Sequence, residues 1–241
     1  MNTQGKTMIY TRAERLRTMR PSSTGRAALH LVSTFDRDRR PPTSDPSETS
    51  LSHLDAAAAL GLDPFKSEAR LWAEKTGRQD LLQPQQDRDD SAAYWSGLLE
   101  PIVAAHYTQR TGRQIRRTDT KLHHPRYPWM VAAVKREVVA SPEVQLLECL
   151  CVGMNVAPLW NHGVPAHIRL RLLHLLAVTG LRAVDVVVLL GGQDLQIYRI
   201  ERDEAEIARL IRQERMFWRS VEQDQAPPSR DKDVSVCVPA S

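Results

Sequence analysis

Three side-chain types in this chain carry chemistry beyond folding: thiols, imidazoles and a large surplus of guanidinium groups. Cys149 and Cys151 sit one residue apart in an apolar, strand-like run and so share a sheet face, while Cys237 lies near the end. This odd set has neither disulfide nor zinc spacing, because a tetrahedral zinc site needs a second cysteine pair or a histidine cluster to complete it. The thiols therefore read as small apolar residues. His174 falls among leucines and reads as a packed or hydrogen-bonded ring, and His123 and His124, just before Pro125, read as loop residues. Arg113, Arg116 and Arg117, with Lys121 beyond, cluster on and after a strand-like segment. Such a cluster either binds a nucleic-acid backbone or is a solvated edge that discourages strand pairing. The formal net charge of +4 and pI near 9.1 fit a nucleic-acid partner. Arginine far outnumbers lysine, and its planar fork suits phosphate, although such a bias also reflects genome composition.

The elements that must position these groups lie between two polar segments. Residues 1–50 carry Arg12, Arg15, Arg17, Arg20, Arg26 and the Arg39-Arg40-Pro41-Pro42 stretch, and read as a disordered basic arm. Leu16, Met19, Ala27, Leu29 and Leu31 leave a short partner-binding helix open there. Residues 223–241 read as a polar tail, which leaves one folded domain over 51–222. With 41% hydrophobic and 26% charged residues, the chain belongs to the ordinary globular class. The longest apolar stretches, such as Ala183 to Leu190, are far short of the roughly 20 residues a membrane helix needs, and no apolar leader opens the chain. A cytoplasmic protein is the expectation.

Within the domain, Leu51, Leu54, Ala58 and Leu60 predict a short helix stopped by Gly61. Ser67 to Thr76 predicts a second helix closed by Gly77. A third runs from Asp90 to Thr111, with Trp95, Leu98, Leu99, Ile102, Val103 and Tyr107 as one buried stripe and Pro101 as a kink or restart. Alternation then predicts strands over Gln114 to Arg117, Trp129 to Ala140 and Val144 to Val152. Pro165 opens a helix over Ala166 to Thr179, and Val184 to Leu190 reads as a strand buried on both faces. Gly191-Gly192-Gln193-Asp194 turns the chain into a strand ending at Glu201, and Asp203 with Glu206 caps a final helix. The expected fold class is α/β, a mixed central sheet flanked by helices.

Specific words in this order resemble the YqaJ-type viral recombinase family, phage exonucleases related to lambda exonuclease within the PD-(D/E)XK nuclease superfamily. They are Ala-Ala-Leu-Gly-Leu-Asp-Pro-Phe-Lys-Ser at Ala58 to Ser67, Leu71-Trp72-Ala73-Glu74-Lys75-Thr76-Gly77, and Leu98-Leu99-Glu100-Pro101-Ile102-Val103 with Tyr107 and Thr111-Gly112-Arg113. Further on stand His124-Pro125, Pro128-Trp129-Met130, Leu146-Leu147-Glu148, Leu176-Ala177-Val178-Thr179-Gly180 and Gly191-Gly192-Gln193-Asp194 with Tyr198-Arg199-Ile200. The resemblance covers about Leu51 to Trp218 and implies a restriction-endonuclease-like fold. It also implies a Mg²⁺-dependent DNA exonuclease of phage recombination, with Glu100 and Glu148 as metal carboxylates. A ring-shaped homo-oligomer around duplex DNA and a single-strand annealing partner come with it.

The chain departs from the family at the residues that do the chemistry. Metal-assisted hydrolysis of a phosphodiester needs carboxylates on adjacent strands to hold the cation, and a lysine to orient the water. The family's metal-binding Asp position reads Lys135, and the lysine two residues after Glu148 reads Leu150. Arg171, Leu173 and Leu175 surround His174 where the family places glutamines, and its Gly-Ala-Ser-Asp word reads Ser52-His53-Leu54-Asp55. Ser96 replaces the glycine after Trp95. Two readings stay open. The site is rebuilt around Glu100 and Glu148 with Glu137 as a third ligand and Lys135 as the cation, or Glu148 is a remnant salt-bridged to Lys135 or Arg171. The basic cluster, Arg113, Arg116, Arg117 and Lys121 together with Arg171, is the candidate DNA contact. The expectation is an exonuclease-family recombination protein whose cutting is impaired or lost. The alternatives are a non-catalytic DNA-binding accessory protein, and a decayed prophage remnant or protein-interaction module.

Overall fold

The computed structural model describes residues 50–78, 82 and 92–227, so the arm over 1–49 and the tail from 228 lie outside the described residues. The alternation that begins after Gly112 produces strands, and these organise the domain. They are β1 (Leu51–Ser52), β2 (Ile115–His123), β3 (Met130–Val138), β4 (Leu146–Val152), β5 (Ala183–Leu190) and β6 (Asp194–Glu201). The helices are α1 (Ala56–Ala59), α2 (Glu68–Lys75), α3 (Ala92–Thr111), α4 (Ala166–Thr179) and α5 (Glu204–Glu222). A 3-10 turn, Ala157–Trp160, follows β4. Among the described residues, no helix is long and apolar enough to cross a membrane.

The six strands form one mixed sheet in the order β1-β3-β4-β5-β6, with β2 also on β3. Strand β3 therefore has three partners on two edges. Antiparallel β2 follows one edge from Val131 to Val138. The other edge is shared by parallel β1, at Met130 and Val131, and antiparallel β4, at Arg136 and Glu137. Between them β3 and β4 diverge, leaving residues 132–135 with no strand partner on that edge. The candidate site lies at this opening.

One sheet face is covered by α3, through a core of Val103, Tyr107, Val138, Val144, Leu147, Ala183 and Val187. The other is covered by α1, α4 and α5, through a larger core that includes Leu51, Met130, Leu146, Leu172, Leu176, Val186, Leu210 and Trp218. Trp129 stacks on Trp218 there, centroids 6.0 Å apart. Strand β5 is central and buried, as its apolar run predicts, yet it also carries buried Asp185. That carboxylate accepts from Tyr107 Oη at 2.7 Å and Arg199 Nε at 2.9 Å, which answers the requirement that a buried charge be paired.

Three expectations are corrected. Leu51 and Ser52 form a strand rather than the start of a helix, because backbone pairing with β3 outweighs local helical spacing in so short a segment. Helix α3 runs unbroken through Pro101; the ring's missing N–H leaves only the Gly97 carbonyl without its helical donor. Its predicted stripe is buried only at the C-terminal half: Val103 and Tyr107 are enclosed, while Trp95, Leu98 and Ile102 are 47%, 53% and 63% exposed. The hairpin between β5 and β6 forms as predicted. Gly191 and Gly192 both take positive φ, 57° and 75°, a conformation that favours glycine; the Met154 sulfur that a Cβ on Gly191 would meet belongs to an exposed, flexible side chain.

Candidate active site

Strand alternation decides which groups meet. Arg136 and Leu147 are register partners and share the face under α3. Glu148, one residue on, projects to the face under α4. The structure thus brings Glu100 and Glu148 to opposite sides of β4, and each meets its own arginine.

Under α3, Arg136 clasps Glu100 with two parallel hydrogen bonds, Nε to Oε1 and Nη2 to Oε2, the latter at 2.9 Å. This fork is the strongest geometry available between the two groups. It holds the Glu100 carboxyl below the usual glutamate range. Cys149 lies beside the pair, its thiol pushed up to about 12 by burial first and the nearby Glu100 charge second. A thiol so hard to ionise is a poor ligand and a poor nucleophile.

Under α4, Glu148 is 4% exposed and accepts a hydrogen bond from Arg171 Nη2. Burial lowers Arg171 to about 10, still charged at neutral pH, and its Nε has no partner among the described residues. Leu150, on the same face as Glu148, packs against the large core. Lys135 is exposed at the opening and forms no ion pair among the described residues.

The opening is filled by His53. Its backbone N–H donates to the Val131 carbonyl at 3.1 Å, extending the β1 pairing, and its Nδ1 accepts from the Ala133 N–H at 3.4 Å. Burial, then the charge on Arg171, brings the imidazole down to about 3, so His53 is a neutral acceptor at physiological pH. Asp55 closes the other side of this segment. It accepts from Ser52 N–H and Oγ, at 3.2 and 2.9 Å, and pairs with Lys75 at 2.9 Å and Lys66 at 3.6 Å. Burial works to raise its pKa, but the lysines and the Ser52 hydroxyl hold it below the usual range. The Ser52 hydroxyl is thereby committed to Asp55, and exposed Leu54 stands beside it. No free hydroxyl remains in this word to grip a phosphate.

Behind His53, His174 and Glu214 are both fully buried, at 0% exposure. His174 Nδ1 lies 2.7 Å from Glu214 Oε1, and Nε2 lies 3.1 Å from the Val131 carbonyl. A carbonyl only accepts, so Nε2 carries hydrogen, and one further proton must lie between Nδ1 and the carboxyl. The pair as a whole is therefore net neutral. Glu137, the candidate third ligand, is on neither group: it accepts from Arg116 at 2.6 Å.

The candidate DNA-contact residues are placed as follows. Arg113 meets Glu143 at 3.1 Å, Arg116 meets Glu137 and Arg117 meets Asp119 at 2.5 Å, and Arg171 is turned inward onto Glu148. Lys121 is exposed with no ion pair among the described residues. Most of the cluster on β2 is thus neutralised by its own neighbours. Sequence reasoning missed Arg136, His53 and Glu214. A signal existed for Glu214, a carboxylate in step with Ile207, Leu210, Phe217 and Trp218 on the apolar side of α5, where only a buried partner is tolerable.

The residues present do not fit a divalent cation. A Mg²⁺ site needs carboxylate oxygens free to coordinate; here both carboxylates are bonded to arginines on separate faces, and a lysine occupies the strand position facing the opening. No group of three or more His, Cys, Asp or Glu side chains placed to hold a metal occurs among the described residues.

Comparison with known proteins supplies the family. Residues 48–182 match the YqaJ-like viral recombinase domain. The chain is 34% identical over 167 residues to the uncharacterized protein YqaJ of Bacillus subtilis (strain 168), an alignment covering 68% of this chain and 50% of that protein, so the chain spans about half the length of this curated relative. In structure it is similar to an alkaline exonuclease (LHK-Exo) from Laribacter hongkongensis, with TM-score 0.61, 20% identity, 75% of this chain and 91% of that one covered. A phage related exonuclease from Haemophilus somnus 129PT gives TM-score 0.53 at 8% identity, over 72% and 94% of the two chains. At such identities the structural likeness shows the fold alone, which is restriction-endonuclease-like. With the sheet, its opening and the matched segment agreeing, the chain belongs to the YqaJ-like viral recombinase family.

Proposed function

We propose that this chain is a DNA-binding recombination protein of its family in which phosphodiester cutting has been lost. The observation that carries the reading is that each retained carboxylate is occupied by an arginine, Glu100 by Arg136 and Glu148 by Arg171. Cutting requires those oxygens to hold a cation that activates water. Releasing Glu148 from Arg171 would strand two charges in a largely enclosed site, at a cost of about 3–5 kcal/mol. Lys135 adds a positive charge where a cation would have to enter, and Leu150 offers no group to orient water. What remains is a sheet tied to its flanking helices by ion pairs, Arg136 to Glu100 and Glu148 to Arg171, with a net positive charge suited to duplex DNA.

The test is incubation of the full chain with linear duplex DNA at several Mg²⁺ and Mn²⁺ concentrations, beside a Glu148→Ala variant and an EDTA control. The expected result is intact DNA, bound with an affinity that falls steeply with salt. Cutting that vanishes in EDTA and in Glu148→Ala would overturn the reading and show a site rebuilt around Glu148. Intact DNA that is not bound would favour a prophage remnant or protein-interaction module instead. A ring of copies and a single-strand annealing partner belong to the same proposal; light scattering with and without duplex tests the first.

A further inference from the structure

Helix α5 presents different groups on its inner and outer sides. Its inner side carries Ile207, Leu210, Glu214, Phe217 and Trp218 into the core. Its outer side presents Arg209, Arg212, Met216 and Arg219, all exposed. These follow one another at steps of three, four and three residues, which at 100° per residue keeps them on one narrow stripe. Ten residues of helix make the stripe about 15 Å long.

Every carboxylate of α5 is committed away from this stripe. Glu204 pairs with Arg202 at 2.5 Å, Glu206 with Arg169 at 2.6 Å, Glu214 with His174 in the core, and Glu222 with Arg215 at 3.5 Å. Arg209, Arg212 and Arg219 form no ion pair among the described residues. This is the reverse of β2, where Arg116 and Arg117 are each neutralised by a neighbour. A charge with no local partner keeps its full field for a ligand.

We infer that this arginine stripe is a contact surface for the phosphate backbone of duplex DNA, read without regard to sequence. The inference rests on the DNA-binding reading above and locates its surface. Along 15 Å of axis each strand offers about four phosphates, enough to engage all three guanidinium groups at once. The planar fork of arginine takes a phosphate through two hydrogen bonds. The stripe has no aromatic side chain and one large apolar one, Met216, so it lacks the buried anchor of a protein-docking site and the apolar face of a membrane-surface helix. Its position beyond residue 182 puts it outside the segment matched to the family domain.

The test is titration of a fluorescent 20-base-pair duplex of mixed sequence with the full chain, from 50 to 200 mM salt, comparing Arg209→Gln/Arg212→Gln/Arg219→Gln with the unmodified chain. An Arg116→Gln/Arg117→Gln/Lys121→Gln variant removes the same net charge from β2. Removing one phosphate-binding side chain flattens the plot of log affinity against log salt by about 0.9. The α5 variant should therefore lose a slope of about 2–3, and the β2 variant distinctly less. Equal losses in both variants would mean that only net charge matters and would overturn the inference. Binding by the α5 variant with unchanged slope would also overturn it while leaving DNA binding intact. No binding by the unmodified chain would overturn the DNA-binding reading itself.

Discussion

Arg171→Met removes the guanidinium from Glu148 while keeping much of its stem. Glu148 is then a buried carboxylate facing Leu150 and the α4 core, with no other ion pair among the described residues. Breaking a buried pair by removing one partner costs about 3–5 kcal/mol at neutral pH. The paired change Arg171→Met/Glu148→Leu removes both charges and should cost about 1 kcal/mol or less, because an apolar pair of similar volume is often no worse. The sign with pH is also fixed. An unpaired buried Glu148 would be easier to protonate than in the unfolded chain, so the single variant's deficit should shrink as pH falls through the acidic range. Urea unfolding followed by tryptophan fluorescence at pH 7.5 and 5.5, for the parent and the single and double variants, measures all three. A single variant within about 1 kcal/mol of the parent would refute the ion-pair argument. A rise in the parent's unfolding midpoint on adding Mg²⁺ would refute the reading that arginines occupy both carboxylates, since a cation that binds only the folded state stabilises it by RT ln(1 + [L]/Kd).

His53 gives a second pH signature. Its folded pKa of about 3 lies below its ordinary 6.5, so its contribution is complete above pH 6.5 and is lost as pH falls toward 3. Between pH 7.5 and 5.5 this amounts to about 1.4 kcal/mol. His53→Gln should flatten that part of the stability profile, and an unchanged slope would contradict the burial of a neutral ring. Gly191→Ala places a Cβ at positive φ, with exposed Met154 able to move aside, and should cost about 1–2 kcal/mol in urea unfolding. Met154→Ala in the same chain should recover little of this, and full recovery would argue against backbone strain.

Elements with strong local signals were legible. Ala166 to Thr179, between Pro165 and Gly180, forms α4 with those bounds, because caps and periodicity are local properties. The motif words likewise identified the family. What depended on pairing across long stretches was not legible. Leu51 and Ser52 become a strand only because β3 supplies an edge. The outward turn of Trp95, Leu98 and Ile102 depends on how far α3 overlaps the sheet, which a helical period does not specify. At the site, the substitutions at Lys135 and Leu150 could be seen from residue identity alone. That Glu100 and Glu148 fall on opposite faces required the β3 and β4 register, and that Arg136 clasps Glu100 required knowing which face α3 covers.

The buried His174 and Glu214 pair also ties α5 to the matched segment. His174 belongs to α4, within the matched segment, and Glu214 to α5, more than thirty positions past residue 182. A fragment stopped at that boundary would keep the imidazole and discard the carboxyl that shares its proton, while baring the face of Trp129 that Trp218 covers. Helix α5 is therefore part of the same packed core as the matched segment, through Phe217 and Trp218.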